Sequence, residues 1–122
     1  MNLLIRLAAL VGLLCFPAVI EAQYQVIELA DVQLAKSVGA TIQDPTGDPV
    51  PKADVQELSA DWKTVLRSNS TDAQGKFSFT PVRGRTIYFF QISARGFDPL
   101  RFRLRVDMKR GTSLKLKLTV AT

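Results

Sequence analysis

Histidine is absent from the 122-residue chain, and this absence removes several kinds of active site. A histidine general base, a histidine metal ligand and a serine–histidine triad are all excluded. Cysteine is nearly absent as well, because the single residue, Cys15, lies in an apolar run near the N-terminus. One cysteine cannot form a four-cysteine zinc site, a paired redox motif or an internal disulfide. We therefore expect no metal, no cofactor and no catalytic residue.

The first 22 residues have the features of a secretory signal peptide. Arg6 precedes an uncharged apolar run over 7–20, and Ala22 is a small residue at a plausible cleavage site. The run is shorter than the roughly 20 residues that a membrane-spanning helix needs. We expect an exported protein, periplasmic, cell-surface or secreted, with a membrane contact only through an uncleaved leader. The chain divides into this signal helix (1–22), a linker or leading segment (23–35) and one domain (36–122).

Alternation of apolar and polar residues is the dominant pattern of that domain and predicts strands. The clearest strand is Arg101–Val106, in which Phe102 and Leu104 alternate with arginines. Seven strands are predicted, at 38–42, 55–58, 62–67, 76–79, 86–94, 101–106 and 114–118. Seven short strands separated by turn residues indicate an antiparallel β-sandwich. Residues 23–36 are ambiguous, since they fit a helix face, a linker or a leading strand.

Four segments follow one another in an order typical of a known family. They are Val38–Asp44, Gly47–Val55, Thr71–Phe79 and Tyr88–Phe97, followed by two closing strands. This pattern resembles the carboxypeptidase regulatory-like domain. The resemblance implies an all-β fold, a seven-stranded antiparallel Greek-key sandwich of transthyretin-like type, and a non-catalytic accessory role. The hydroxyisourate hydrolases share that type of fold, but their chemistry relies on histidine, which this chain lacks.

Positive charge is concentrated in the second half of the chain. Residues 23–75 contain 4 basic and 8 acidic residues, whereas residues 76–122 contain 11 basic and 2 acidic ones. The last two predicted strands alternate apolar residues with cations, and we expect them to pair as a hairpin. The pairing would place five cations on one sheet surface, a candidate face for binding an anion or a partner. These cations are Arg101, Arg103, Arg105, Lys115 and Lys117.

Charged outer faces also keep sheets soluble and block edge-to-edge aggregation, so the cations have a structural explanation as well. If the face binds, we expect an envelope protein or an acidic polysaccharide and no nucleic acid. The alternative function is a carbohydrate-binding module for an acidic or neutral glycan. Such a module needs an exposed aromatic platform, for which Trp62, Tyr88 and Tyr24 are candidates. Ile87 and Phe89 would form an apolar patch unless a neighbouring segment covers them.

Two catalytic or metal-binding alternatives have simpler explanations. Ser113 and Lys115 share a strand face, but nothing indicates the buried lysine that a serine–lysine dyad needs. Four aspartates in or near turns could bind calcium, although their spacing matches no EF-hand and turn aspartates mainly bond their own backbone. These residues are Asp44, Asp48, Asp54 and Asp72. We therefore expect a monomeric, non-catalytic module that binds or supports other components at the cell envelope.

Overall fold

The computed structural model describes residues 25–122, which form nine strands in two sheets and no helix. The strands are β1 (Ile27–Glu28), β2 (Gln33–Ala35), β3 (Gly39–Gln43), β4 (Asp54–Leu58), β5 (Val65–Ser70), β6 (Lys76–Ser78), β7 (Ile87–Ser93), β8 (Leu100–Val106) and β9 (Lys115–Lys117). The predicted all-β sandwich is confirmed. The predicted signal helix, 1–22, lies outside the described residues. Nothing between residues 25 and 122 is a helix that could span a membrane.

The larger sheet has the order β1–β8–β7–β4–β5, with β2 also pairing with β8, and the smaller sheet has the order β6–β3–β9. The pairs within β8–β7–β4–β5 and the β3–β6 pair are antiparallel. The pairs of β1 and β2 with β8, and of β3 with β9, are parallel.

The core lies between the two sheets and consists of the side chains that point inward at every second position of each strand. Inward residues of both sheets are buried, among them Tyr88, Phe90 and Ile92 of β7, Phe102 and Leu104 of β8, Ile42 of β3 and Leu116 of β9. Burying a large apolar side chain contributes about 1.5–3 kcal/mol. Successive side chains of a strand point to opposite faces, so this inward set determines which residues point outward.

All seven predicted strands form, but β5 begins three residues later than expected. Residues 59–64 form a turn instead, in which the Asp61 side chain accepts the N–H of Lys63 and the Ser59 hydroxyl accepts the N–H of Thr64. The Trp62 backbone has a φ of 66°, which no strand residue adopts. The side chains of Ser59 and Asp61 bond to the nearby backbone, and these hydrogen bonds favour a turn over a strand at this position. Trp62 therefore belongs to a loop.

The segment 23–36, for which helix, linker and strand were all open, contributes β1 and β2. Ile27 lies opposite Leu100 and Leu34 lies opposite Arg105, both in parallel register with β8. Ala35 at the end of β2 is buried in the core. These two strands are therefore part of the larger sheet.

The expected hairpin of β8 and β9 is wrong. β8 lies in the larger sheet and β9 pairs with β3 in the smaller one. Their connector crosses from one sheet to the other and is anchored where Gly111 packs on Ala35; a Cβ at Gly111 would lie 2.4 Å from the Ala35 carbonyl. Both strands direct their leucines at the shared core, so their cations point in opposite directions. The five cations do not form one surface.

Candidate functional site

The first cationic surface, which we call the arginine face, is the outward side of β8 and β7. Its members are Arg101, Arg103 and Arg105 of β8, Ile87 and Phe89 of β7, and Trp62 of the β4–β5 loop. Across the two strands Arg105 lies opposite Ile87, and Arg103 lies opposite Phe89. The antiparallel register thus places a row of guanidinium groups directly beside a row of apolar side chains.

The three arginines lack a carboxylate partner among residues 25–122, in which both ion pairs involve Glu57. Arg101 donates from Nε to Gln91 Oε1 at 2.7 Å, and Arg103 donates to the backbone carbonyl of Ala30. Arg105 is exposed. Neutral acceptors orient two of the guanidinium groups without cancelling their charge, so the face carries a positive potential that attracts anions.

Trp62 covers part of this face. Its ring centroid lies 5.2 Å from that of Phe89 in an edge-to-face arrangement with an interplanar angle of 84°. The Arg101 guanidinium carbon lies 5.2 Å from the centre of the indole, within the range of a cation–π interaction. The ring is half-buried, on the outside of the sheet and not in the core. Ile87 and Phe89 are therefore half-buried, and the loop that carries Trp62 covers part of Phe89.

The other two aromatic candidates do not join Trp62. Tyr88 is buried in the core, and its hydroxyl accepts a hydrogen bond from the Val82 N–H at 2.9 Å. Tyr24 lies outside the described residues. Of the two candidates that lie within residues 25–122, Trp62 is on a sheet surface and Tyr88 is in the core.

The second cationic surface, which we call the lysine face, is the outward side of the smaller sheet. It contains Lys115 and Lys117 of β9, as predicted, and also Lys76 of β6. Thr41 of β3 lies between Lys76 and Lys115 in the register, and Gln43 lies opposite Lys117. The sequence does not reveal Lys76 as a member, because its proximity to Lys115 depends on β3 lying between two strands distant in the chain.

A third group of charges lies inside the molecule. Glu57 of β4 points inward and is only 1% exposed. Arg67 of β5 donates from Nε to Glu57 Oε1 at 2.7 Å, and Arg85 of the β6–β7 loop donates to Oε2. The two guanidinium groups also lie over the Phe79 and Tyr88 rings. This ion-paired group joins three segments of the fold, and its carboxylate is fully engaged.

The turn aspartates bond their own loops. Asp44 Oδ1 accepts hydrogen bonds from the Thr46 hydroxyl and from the N–H groups of Thr46 and Asp48. The Thr46 hydroxyl is the main cause of the lowered pKa of Asp44. Asp72 Oδ1 accepts the N–H groups of Gln74 and Lys76. Across residues 25–122, three or more acidic or cysteine side chains nowhere come together in a way that could hold a metal ion.

The family model of the carboxypeptidase regulatory-like domain matches residues 37–119. The chain belongs to this family. The resemblance seen in the sequence is thereby confirmed, and the match extends from the start of β3 past the end of β9. Carboxypeptidase regulatory-like domains are non-catalytic modules. No curated protein matches the chain. The matched range contains both cationic faces, so both belong to the domain itself.

Proposed function

We propose that this carboxypeptidase regulatory-like domain is an exported, non-catalytic module that binds an anionic partner at the cell envelope through the arginine face. The observation that supports it best is the row of three guanidinium groups that have no carboxylate partner among residues 25–122 and border an aromatic pair. The features of residues 1–22 support export. The partner is an envelope protein with an acidic surface or an acidic polysaccharide, and the module acts as a monomer.

The composition of the face suits such a partner. Guanidinium groups recognise carboxylates through paired, charge-assisted hydrogen bonds, and Arg105 is free to make them. Trp62, Phe89 and Ile87 add apolar contact area beside the charges. Interfaces are enriched in aromatic residues and arginine, and this pairing of residue types distinguishes the arginine face from an ordinary solvated sheet surface.

The second candidate function is glycan binding, and the position of Trp62 is the observation that favours it. An indole on an outer sheet surface can stack against a sugar ring, while arginines nearby would bind the carboxylates of an acidic glycan. A neutral glycan would depend on Trp62 and hardly on the arginines. The two functions therefore differ in which side chain carries the affinity.

The test compares two charge-matched triple variants of the full chain. The first carries Arg101→Glu, Arg103→Glu and Arg105→Glu on the arginine face. The control carries Arg83→Glu, Arg95→Glu and Arg110→Glu, three exposed arginines outside that face. Each protein is titrated with polygalacturonate as an acidic glycan probe and dextran as a neutral one, and each is used to recover partners from envelope extract, at low and high salt.

We expect the arginine-face variant to lose binding of the acidic probe or of an acidic envelope protein, and the control variant to keep it. High salt should weaken the binding of the wild-type protein, since exposed charges are screened over about 10 Å at 0.1 M salt. Equal recovery by both variants contradicts the proposal. Binding of dextran that Trp62→Ala abolishes and the arginine-face variant retains would favour the neutral-glycan function instead.

A further inference from the structure

A groove of about 190 Å³ lies on the smaller sheet, away from the arginine face. It runs from the β2–β3 connection along β3 to β6, with the end of the β8–β9 connector on its other side. About half of its lining is polar and carries lysine ammonium groups and side-chain hydroxyls, and the other half is apolar. The lining includes Lys36, Ser37, Thr41, Lys76, Thr112 and Ser113.

Two lysines line the groove, and a third, Lys115, lies beside it. Lys76 and Lys115 flank Thr41 from the two strands on either side of β3, so two strand spacings of about 4.8 Å separate their backbones. Neither these two lysines nor Lys36 takes part in an ion pair within the described part of the chain. Like charges gathered on one face of a sheet repel one another. An anion bound among them would convert that repulsion into attraction.

The nearest loop carboxylate is already engaged. Asp72 Oδ1 accepts the backbone N–H of Lys76 at 2.9 Å and that of Gln74 at 2.9 Å. This carboxylate therefore serves the β5–β6 turn, and the Lys76 ammonium group forms no ion pair with it. The charge on the groove is left available to a ligand.

The hydroxyl groups supply directional donors beside the cations. The side chains of Ser37, Thr112 and Ser113 are exposed and make no hydrogen bond to another group of residues 25–122. Their hydroxyl groups are therefore free to rotate toward a ligand. A phosphate monoester carries nearly two negative charges and three strong acceptor oxygens. Lysine binds phosphate as a point charge, and hydroxyls complete the contacts to the remaining oxygens.

We propose that this groove binds the phosphate monoester group of a phosphorylated sugar. The polar surroundings, with Gln43 and Thr41 on the same face, suit a carrier with hydroxyl groups. A membrane surface fits less well, because a peripheral membrane site normally combines cations with apolar side chains that enter the lipid. The exposed large apolar residues of 25–122 are Val26, Val65, Leu66, Met108 and Val120, and all five lie outside the three strands of the smaller sheet.

The test uses the purified full-length protein, labelled with ¹⁵N and titrated with glucose 1-phosphate at physiological salt. Glucose and inorganic phosphate are titrated separately, and vesicles of phosphatidylcholine with phosphatidic acid are tested by sedimentation. The groove variant carries Lys36→Gln, Lys76→Gln and Lys115→Gln. The control variant carries Lys63→Gln, Arg83→Gln and Lys109→Gln, three exposed cations elsewhere. Thermal unfolding of both variants establishes that each is folded.

We expect glucose 1-phosphate to shift the amide resonances of Ser37, Thr41, Lys76 and Ser113, and glucose to shift none of them. The groove variant should bind at least about tenfold more weakly than the control variant, because it loses the charges of Lys36 and Lys76 in the lining and of Lys115 beside it. Equal affinity in the two variants overturns the proposal, as does the absence of any shift. If inorganic phosphate binds as tightly as glucose 1-phosphate, the proposal that the groove recognises the sugar is wrong. Binding to the vesicles without binding to glucose 1-phosphate would assign the groove to a lipid surface.

Discussion

The arginine face and the lysine face come from strands with the same alternating pattern, yet the two surfaces differ in kind. On the larger sheet Arg103 lies opposite Phe89 and Arg101 contacts the Trp62 ring, and neutral acceptors orient these two arginines. On the smaller sheet the lysines surround Thr41 and Gln43 and are free of ion pairs within residues 25–122. We infer from this difference that the side chains on the neighbouring strands, more than those on the cationic strand itself, determine what a cationic surface can bind.

Cation type strengthens this contrast. A planar guanidinium group stacks on aromatic rings and forms paired hydrogen bonds, whereas an ammonium group acts as a mobile, strongly hydrated point charge. The arginine face therefore suits a partner with carboxylates and apolar area. The lysine face suits a compact anion with many acceptor oxygens. Arg67 and Arg85 form a third category, because they serve the fold by compensating a buried carboxylate.

The largest effect is expected at that third category. Glu57→Gln should lower the free energy of unfolding by about 3 kcal/mol, because both guanidinium groups lose the charge that compensates them. The arginine side chains are 29% and 33% exposed, so water relieves part of the loss and the effect should not exceed this value. Urea unfolding followed by circular dichroism measures the change.

Gln56→Ala, on the outward side of the same strand, is the control and should change stability by less than about 0.5 kcal/mol. A Glu57→Gln protein as stable as the wild type would mean that Arg67 and Arg85 are ordinary surface cations. The distinction between cations of the fold and cations of the faces would then fail.

A smaller effect on stability is expected at Trp62. This residue gives the arginine face an aromatic ring, whereas the lysine face consists of lysines and uncharged polar residues. Trp62→Ala should cost about 1–2 kcal/mol, because it removes the edge-to-face contact with Phe89 and the cation–π contact with Arg101. Trp62→Phe keeps an aromatic ring and should recover about half of the loss. Chemical unfolding of the two variants, followed by circular dichroism, makes the comparison. Equal stability of the wild type and Trp62→Ala would show that the indole does not pack on this face.

The smallest effect is expected at Asp107, in the connector that carries the chain from one face to the other. Its Oδ1 accepts the N–H groups of Arg110 and Lys109, and these two hydrogen bonds are the main causes of its lowered pKa. The ionised form therefore stabilises the fold above the ordinary aspartate pKa of about 3.9, and this contribution is lost as the pH falls through the lowered value.

Asp107→Asn should accordingly flatten the dependence of the melting temperature on pH below about 4, relative to the wild type. Asp54→Asn provides the same change in charge at a residue outside the connector. Melting temperatures measured from pH 7 to pH 2 test the prediction. An identical acid dependence in the wild type and Asp107→Asn would show that the carboxylate does not hold the connector.

Much of the fold could be predicted from local pattern. Alternation identified all seven strands, and the outward position of Arg101, Arg103 and Arg105 followed from it directly. Asp44 and Asp72 were correctly interpreted as acceptors for their own backbone, since a short carboxylate in a turn bonds the nearest N–H groups, whereas Asp54 begins β4. The order of four segments was enough to identify the family. Local signals succeeded wherever the determining contacts lie within a few residues along the chain.

The candidate site could be predicted only in part, because its members come from distant positions. Lys76 joins Lys115 through β3, and Trp62 reaches Phe89 from a loop in which Ser59 and Asp61 bond the backbone. Glu57 breaks the apolar–polar alternation of its strand, because it follows the polar Gln56 and lies on the same inward side as Val55. Its burial becomes favourable only because Arg67 and Arg85, 10 and 28 residues further along the chain, meet it there.

The sequence by itself determined seven of the nine strands of residues 25–122, because the backbone geometry of a strand repeats every two residues, and it determined the family through the order of four segments. The tertiary structure decided that β8 and β9 lie in different sheets, and therefore that the cations form two surfaces. The physical reason is that both apolar sides must enter one core. Two strands can satisfy this requirement as neighbours in one sheet or as opposite walls of a sandwich. The choice depends on how the connector packs, which alternation does not encode.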